Sequence, residues 1–338
     1  MSENFTAKKV MHKGIEAVEL SGCGYCAIVA PQLGSSVLRF RDNKRGMEIF
    51  RYSDTVSIPE IMNSPEIWGL PTLYLPNRHD NGILRTSDAV YRFPVNEERF
   101  KNHLHGFLHK RVHKIAEMGA DDKRAYVTAK YKYDETDYFY SVFPVKFTAE
   151  ITIEISAEGL KHTISLTNNS KVMMPISIAT HTTINAPFVD GGVQQDIRLQ
   201  VPCEEKLPFN KRRWLPTGKT AKLNDYDMQY KEGTMCPVLK NICNDMYTGG
   251  TVKLNGKDFR GCVMTDVASG KKICYEVDDN YKFWIIWNHE GFNNYFCPEP
   301  MTAQVNAANL DMPREKSGYT ELAPHKTYTA VQRFFTTD

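Results

Sequence analysis

The stretch Phe147–Leu166, FTAEITIEISAEGLKHTISL, alternates apolar and polar side chains on both sides of a turn. Phe147, Ala149, Ile151, Ile153 and Ile155 fall on one face, and Thr148, Glu150, Thr152 and Glu154 on the other. After Ala157-Glu158-Gly159 the alternation resumes with Leu160, His162, Ile164 and Leu166. A period of two is that of a strand, so the stretch predicts an antiparallel hairpin with one buried face. Further out, Ala125–Tyr131 and Tyr328–Phe335 are rich in β-branched and aromatic residues. The apolar run Tyr281–Trp287, YKFWIIW, also reads as a strand. Turn signals recur at Asp42-Asn43, Asp80-Asn81-Gly82, Asn168-Asn169-Ser170, Thr248-Gly249-Gly250 and Asn255-Gly256. No window carries a long 3.6-residue apolar stripe, and a short helical turn is expected near Ile58–Ser64. Many strands with short turns predict an all-β sandwich or barrel. There is no low-complexity linker and no fixed-period repeat, so residues 1–338 read as one large β domain.

Composition narrows the function classes. The chain is 41% hydrophobic and 24% charged, the balance of a soluble globular protein. The net charge is +2 with no basic block, so nucleic acid has no electrostatic footprint to bind. No apolar run approaches the roughly 18 residues of a membrane span. The first residues, MSENFTAKKVMHKG, hold no apolar signal core, and a cytoplasmic location is expected. The oligomeric expectation is monomer or homodimer. Eight cysteines without a secretion signal read as free thiols. Cys23-Gly24-Tyr25-Cys26 precedes AIVAPQLGSSVLRF, a strand–turn–strand pattern. A redox CxxC would want a helix start, and zinc would want a second close pair. The two thiols are therefore expected to flank a hairpin turn.

Several residues carry chemistry. Glu299 stands between Pro298 and Pro300, just after the YKFWIIW run. Proline fixes φ and lacks a backbone donor, so this segment is expected to be a rigid turn at a strand end rather than mid-strand. Rigid placement suits a catalytic carboxyl as well as a surface turn. Pro76-Asn77-Arg78 puts a guanidinium fork at the end of LPTLYL, suited to an oxygen-rich ligand. Asn102–His113, NHLHGFLHKRVH, holds His103, His105, His109 and His113. On a strand these cannot all reach one ion and no acidic or cysteine ligand adjoins them, so no metal site is expected. Gly106 after His105 signals close approach of a ligand or a neighbouring strand. His181 ends the apolar run ISIAT, placing a group that titrates near neutrality at a strand end. Asp245 precedes a Thr-Gly-Gly turn and suits hydrogen bonding to a hydroxyl.

These pieces together resemble the aldose 1-epimerase, or galactose mutarotase-like, family. The resemblance rests on Pro76-Asn77-Arg78, Leu104-His105-Gly106-Phe107, Phe143-Pro144, Glu158-Gly159-Leu160 with Asn168-Asn169-Ser170, and Met174-Pro175 leading to Thr180-His181 and Asn185. Leu215-Pro216-Thr217-Gly218, the Asp245 segment, and Cys297-Pro298-Glu299-Pro300 with Asn309 complete it, in family order across roughly residues 30–335. The resemblance implies a large antiparallel β-sandwich, no cofactor, and interconversion of the α and β anomers of an aldose. It implies Glu299 as the base at the anomeric hydroxyl and His181 as the acid at the ring oxygen. It makes Arg78, His105, Asp245 and Asn77 the sugar-binding residues. Opening a hemiacetal needs an acid and a base together and neither nucleophile nor metal, which agrees. The pair's environments should separate their pKa values. Phe107, Trp284 and Trp287 are candidates to pack on a sugar face.

Two departures bear on the pocket. The run after the acid is His181-Thr182-Thr183-Ile184-Asn185, without the family's usual aromatic residue, and Phe107 follows the His-Gly directly, with His113 where a tryptophan is usual. A sugar-phosphate epimerase is one alternative, for which Arg78, Arg85, Lys110 and Arg111 would supply the cations. A non-catalytic carbohydrate-binding protein is the other, although binding alone needs no acid–base pair.

Overall fold

The hairpin is present as strands Phe147–Ser156 and Gly159–Asn168 in the computed structural model, which describes residues 4–291 and 293–338. Its apolar face is buried and its polar face half-buried, as the alternation requires. Ser156 pairs with Gly159 across a two-residue turn. Gly159 has φ +101°, and a Cβ there would lie 2.0 Å from the carbonyl oxygen of Phe334. Only glycine lets the strand Thr327–Thr337 dock this closely on the hairpin, in the register Leu160↔Phe334.

These strands lie within an eight-stranded antiparallel sheet. Its order is Lys114–Ala120, Arg124–Tyr133, Phe147–Ser156, Gly159–Asn168, Thr327–Thr337, Lys272–Val277, Gly261–Asp266 and Ile197–Gln200. A five-stranded sheet built from residues 6–48 is tied to it by Tyr25, whose hydroxyl lies 3.0 Å from Thr336 Oγ1. Phe50 meets Phe334 edge-on at 5.0 Å between ring centres. The CxxC motif sits in this smaller sheet. Gly22 pairs with Tyr25, so Cys23 and Gly24 form the hairpin turn and Cys26 lies in the following strand.

A six-stranded sheet carries the site. Its path runs Asp245–Thr248, Phe283–Trp287, Tyr295–Met301, Ile178–Thr180 and Thr72–Tyr74, with Ile184–Asn185 pairing near the start of Tyr295–Met301. It stacks on the eight-stranded sheet through Tyr74 against Phe147 (5.0 Å) and Trp284 against Tyr275 (5.4 Å). A polar chain crosses the same interface. His162 Nε2 bonds Thr72 Oγ1 at 3.0 Å, and Gln332 Nε2 donates to His162 Nδ1 at 2.8 Å. Thr180 Oγ1 donates to Gln332 Oε1 at 3.0 Å. The layered arrangement is a large antiparallel β-sandwich, and one apolar core runs through it from Val18 to Phe334.

Helices are short. The turn expected near Ile58–Ser64 is the helix Ile58–Asn63, started by a capping box between Ser57 and Glu60. Among the described residues, no helix is long and apolar enough to cross a membrane.

One expectation is overturned. Glu299 is not in a turn after a strand; it lies inside Tyr295–Met301, in the interior of its sheet. The prolines are tolerated because the ladder is half open. Lys282 N–H bonds Met301 O, and Thr302 N–H bonds Ile178 O. Backbone groups alternate sides along a strand, so the nitrogens of Pro298 and Pro300 face Ile178–Thr180. On that side pairing is confined to Ala179↔Met301 at one end and Ile184–Asn185 against Tyr295 and Phe296 at the other, so the two prolines fall in the gap and no ladder donor is missed.

Candidate active site

The gap in the ladder is where the site forms. His181 leaves the strand Ile178–Thr180, anchored by its N–H to Pro71 O at 3.1 Å, and its ring lies over the neighbouring strand. Its Nε2 is 3.3 Å from Glu299 Oε1. Both side chains are almost fully buried, yet both line a cavity of about 450 Å³.

Asn77, Arg78 and His105 line the same cavity. Asn77 and His105 both take positive φ, +57° and +66°. Their backbones are joined by His105 N–H to Asn77 O at 2.9 Å. Asn77 N–H in turn donates to His105 Nδ1 at 3.4 Å, which leaves Nε2 as the protonated nitrogen. Gly106 makes this fold-back possible, since a Cβ there would lie 2.0 Å from Tyr74 O. The close approach read from that glycine is thus to the strand Thr72–Tyr74. The His105 ring meets His181 edge-on at 5.4 Å, and Trp287 also meets His181 edge-on, at 5.6 Å. Trp287 lines the cavity, whereas Phe107 and Trp284 are core residues.

The cations are already engaged. Arg78 makes a forked pair with Glu97 through Nε (2.9 Å) and Nη2 (2.8 Å). Its Nη1 reaches Asn77 Oδ1 at 3.3 Å and Asn244 Oδ1 at 3.2 Å. Lys110 pairs with Glu66 at 3.0 Å. Burial alone would raise Glu66, but the hydrogen bond from His109 Nε2 at 2.8 Å and its charge hold the carboxyl far below its usual range. Arg111 is paired with Asp137, and neither Arg111 nor Arg85 lines the cavity.

Asp245 does not line the cavity; its neighbour Asn244 does. The Asp245 carboxylate accepts from Tyr226 (2.8 Å) and Tyr230 (3.1 Å) instead. Asn244 precedes the strand Asp245–Thr248 and takes a left-handed φ of +58°, a turn of the backbone that separates the two side chains. Glu66, Glu97, Asn244 and His289 are pocket or pocket-supporting residues that sequence reasoning did not single out.

The histidine-rich stretch is dispersed. His103 Nδ1 bonds Pro94 O at 2.8 Å, His109 goes to Glu66, and His113 Nδ1 goes to Ser35 Oγ at 2.9 Å. One group among the described residues does bring metal-ligand atoms together. His181, Cys297 and Glu299 each offer an atom within 4.8 Å of the others.

Burial sets the electrostatics of the pair. It pushes the Glu299 carboxyl well above its usual range, partly opposed by Arg78. It pushes the His181 imidazole down to about 4. His105 is also driven well below its ordinary value, first by burial and then by His181. The carboxyl is raised and the imidazole lowered, so burial favours the neutral form of each, opposite to the ionised Glu299 and protonated His181 that the expected roles need.

The fold and the site together define a large antiparallel β-sandwich with a carboxyl–imidazole pair in contact on the wall of a polar cavity. Residues 16–334 match the model of the aldose 1-epimerase family, and the chain belongs to that family. A galactose mutarotase-like protein from Clostridium acetobutylicum is 27% identical, with TM-score 0.95 and 99% of each chain covered. Galactose 1-epimerase from Lactobacillus acidophilus superposes with TM-score 0.69 at 14% identity, over 99% of this chain and 98% of that one. An aldose epimerase homologue from C. elegans gives TM-score 0.69 at 16% identity, over 99% of both.

Proposed function

We propose that this protein is a mutarotase acting on a free, unphosphorylated aldose, with Glu299 as base and His181 as acid. The observation that carries the reading is the 3.3 Å contact between His181 Nε2 and Glu299 Oε1 on the cavity wall. The anomeric hydroxyl and the ring oxygen of an aldose share one carbon, so a contacting acid and base reach both. Glu299, ionised, takes the proton from the anomeric hydroxyl. Protonated His181 gives its proton to the ring oxygen. The bond from C1 to the ring oxygen breaks, the aldehyde end rotates, and closure on the other face returns both protons.

The shifted pKa values favour this direction. A raised carboxyl is a stronger base and a lowered imidazole a stronger acid, so each shift lowers the cost of its own transfer on ring opening. Before reaction a proton must sit on His181 and Glu299 must be ionised, and the 3.3 Å contact lets a proton pass between them. Asn77, Arg78, His105 and Asn244 supply donors and acceptors for sugar hydroxyls, and Trp287 supplies an aromatic wall.

The engaged cations favour a neutral sugar over a sugar phosphate. Arg78 is forked onto Glu97 and Lys110 is held by Glu66, so neither offers a free charge to a dianion. Polarimetry of freshly dissolved α-glucose, α-galactose and glucose 6-phosphate tests the reading. We expect acceleration with a free sugar, and a loss of roughly 10²–10⁴-fold in Glu299→Gln. A Glu299→Gln variant that still turns over would sink the mechanism. Acceleration with glucose 6-phosphate alone would replace the free-sugar reading.

A further inference from the structure

We propose that His181, Cys297 and Glu299 form a binding site for a borderline-soft divalent cation of the Zn²⁺ class, whose occupancy shuts off the acid–base pair. Cys297 is the buried nucleophilic group that the epimerase mechanism leaves unused. It lies two residues before Glu299 on the strand Tyr295–Met301, so both side chains leave the same face. Its thiol is fully buried, with Thr183 Oγ1 as a weak partner at 3.6 Å.

The geometry suits a four-coordinate ion. Zinc bonds of about 2.0–2.3 Å place neighbouring ligand atoms of a tetrahedron roughly 3.4–3.7 Å apart. His181 Nε2 and Glu299 Oε1 are already 3.3 Å apart, and one ligand atom from each of the three residues lies within 4.8 Å of the others. His181 and Glu299 line the cavity, which gives the ion a path in and leaves a coordination position for water. The ligand chemistry selects the metal. One imidazole, one thiolate and one carboxylate match zinc, whereas magnesium and calcium want oxygen. Charge balances as well: thiolate and carboxylate together offset the dication, so no net charge is buried. Binding needs the Cys297 thiol to lose its proton to solvent and His181 and Glu299 to offer unprotonated ligand atoms.

Binding does not depend on the epimerase reading; only the inhibitory consequence rests on it. The test therefore has two arms. The full chain is stripped with chelator, the chelator is removed, and Co²⁺ is titrated as a spectroscopic stand-in for Zn²⁺. We expect one equivalent to bind with a thiolate-to-cobalt charge-transfer band that is missing in Cys297→Ser. Absence of that band in the wild type overturns the site, whether or not the protein proves to be an epimerase. In the second arm, Zn²⁺ should abolish mutarotation of the wild type and chelator should restore it. Cys297→Ser should keep its basal rate and need at least about tenfold more Zn²⁺ for the same inhibition. Equal zinc sensitivity of the two proteins overturns the role of Cys297. Cys297→Ala, which keeps an apolar group in the buried position, replaces the serine variant if that one does not fold.

Discussion

The shifts at two contacting side chains set what pH should do to activity. Burial holds His181 down to about 4 and pushes Glu299 well above its usual range. On acidification His181 therefore gains a proton only toward pH 4. The acid limb of kcat/KM is expected well below 6.5. A limb at 6.5 in the free enzyme would mean that His181 titrates as an exposed imidazole, and the description of a buried pair would fail. Much of this pair was legible in the sequence. Glu299 stood out between two prolines and His181 at the end of an apolar strand, and the ordered motifs joined them. Glu66, Glu97 and Asn244 were not legible. Nothing local marks Glu66, which enters the cavity because His109, 43 residues away, holds its carboxylate. Asp245 was read as the partner of a sugar hydroxyl, but the cavity takes Asn244, the left-handed residue just before the strand, a backbone turn that the sequence does not show.

Alternation is informative only where one face of a strand meets the core. Phe147–Ser156 alternates buried and half-buried residues, so its strand character and register were plain. Tyr295–Met301 and Ile178–Thr180 are buried on both faces, so no alternation could show. The prolines then argued for a turn, because the half-open ladder that accommodates them is a tertiary feature. Beneath these strands the polar chain from Thr72 through His162 and Gln332 to Thr180 fixes the spacing of the two sheets. Tyr275 also donates its hydroxyl hydrogen to Gln332 Oε1. Gln332→Met keeps the volume but leaves His162 Nδ1 without its donor and removes the acceptor that Thr180 and Tyr275 share, leaving those two hydroxyls only each other and Thr182. Stability should fall by roughly 1–3 kcal/mol, read from the urea midpoint. Because Thr180 adjoins His181, kcat should fall as well while the acid limb of the profile stays in place. An unchanged midpoint would show that the chain of bonds contributes nothing net.

The apolar core runs from the five-stranded sheet to the last strand, which predicts that the whole chain unfolds in one cooperative transition. Coincident urea curves from tryptophan fluorescence and far-UV circular dichroism would check this, and two separated midpoints would divide the chain. The same enclosure predicts acid lability. Burial pushes His79 and His162 down to about 3 and His113 and His181 down to about 4, from an ordinary value of 6.5; a neighbouring histidine adds to the effect at His79. Above pH 6.5 these four are neutral in both folded and unfolded chains and contribute nothing to the pH dependence. Between 6.5 and the folded values the unfolded chain binds more protons, so stability falls as pH falls. Glu299 runs the other way: its raised carboxyl takes up a proton in the folded state that the unfolded chain takes up only near 4.5. Each group contributes at most about 1.4 kcal/mol per pH unit, so these four histidines against Glu299 alone would leave up to about 4 kcal/mol per unit, and His103, His105 and His109, also lowered by burial, act in the same direction. Urea midpoints should therefore be level between pH 8 and 7 and drop steeply from about pH 6 to 5. Carboxylates paired to cations, such as Glu66, join the loss only below their ordinary 4.5, so an earlier drop belongs to the buried imidazoles. Midpoints unchanged down to pH 5 would mean that these rings gain their protons without unfolding, and that the interior around them is wetter than its packing implies.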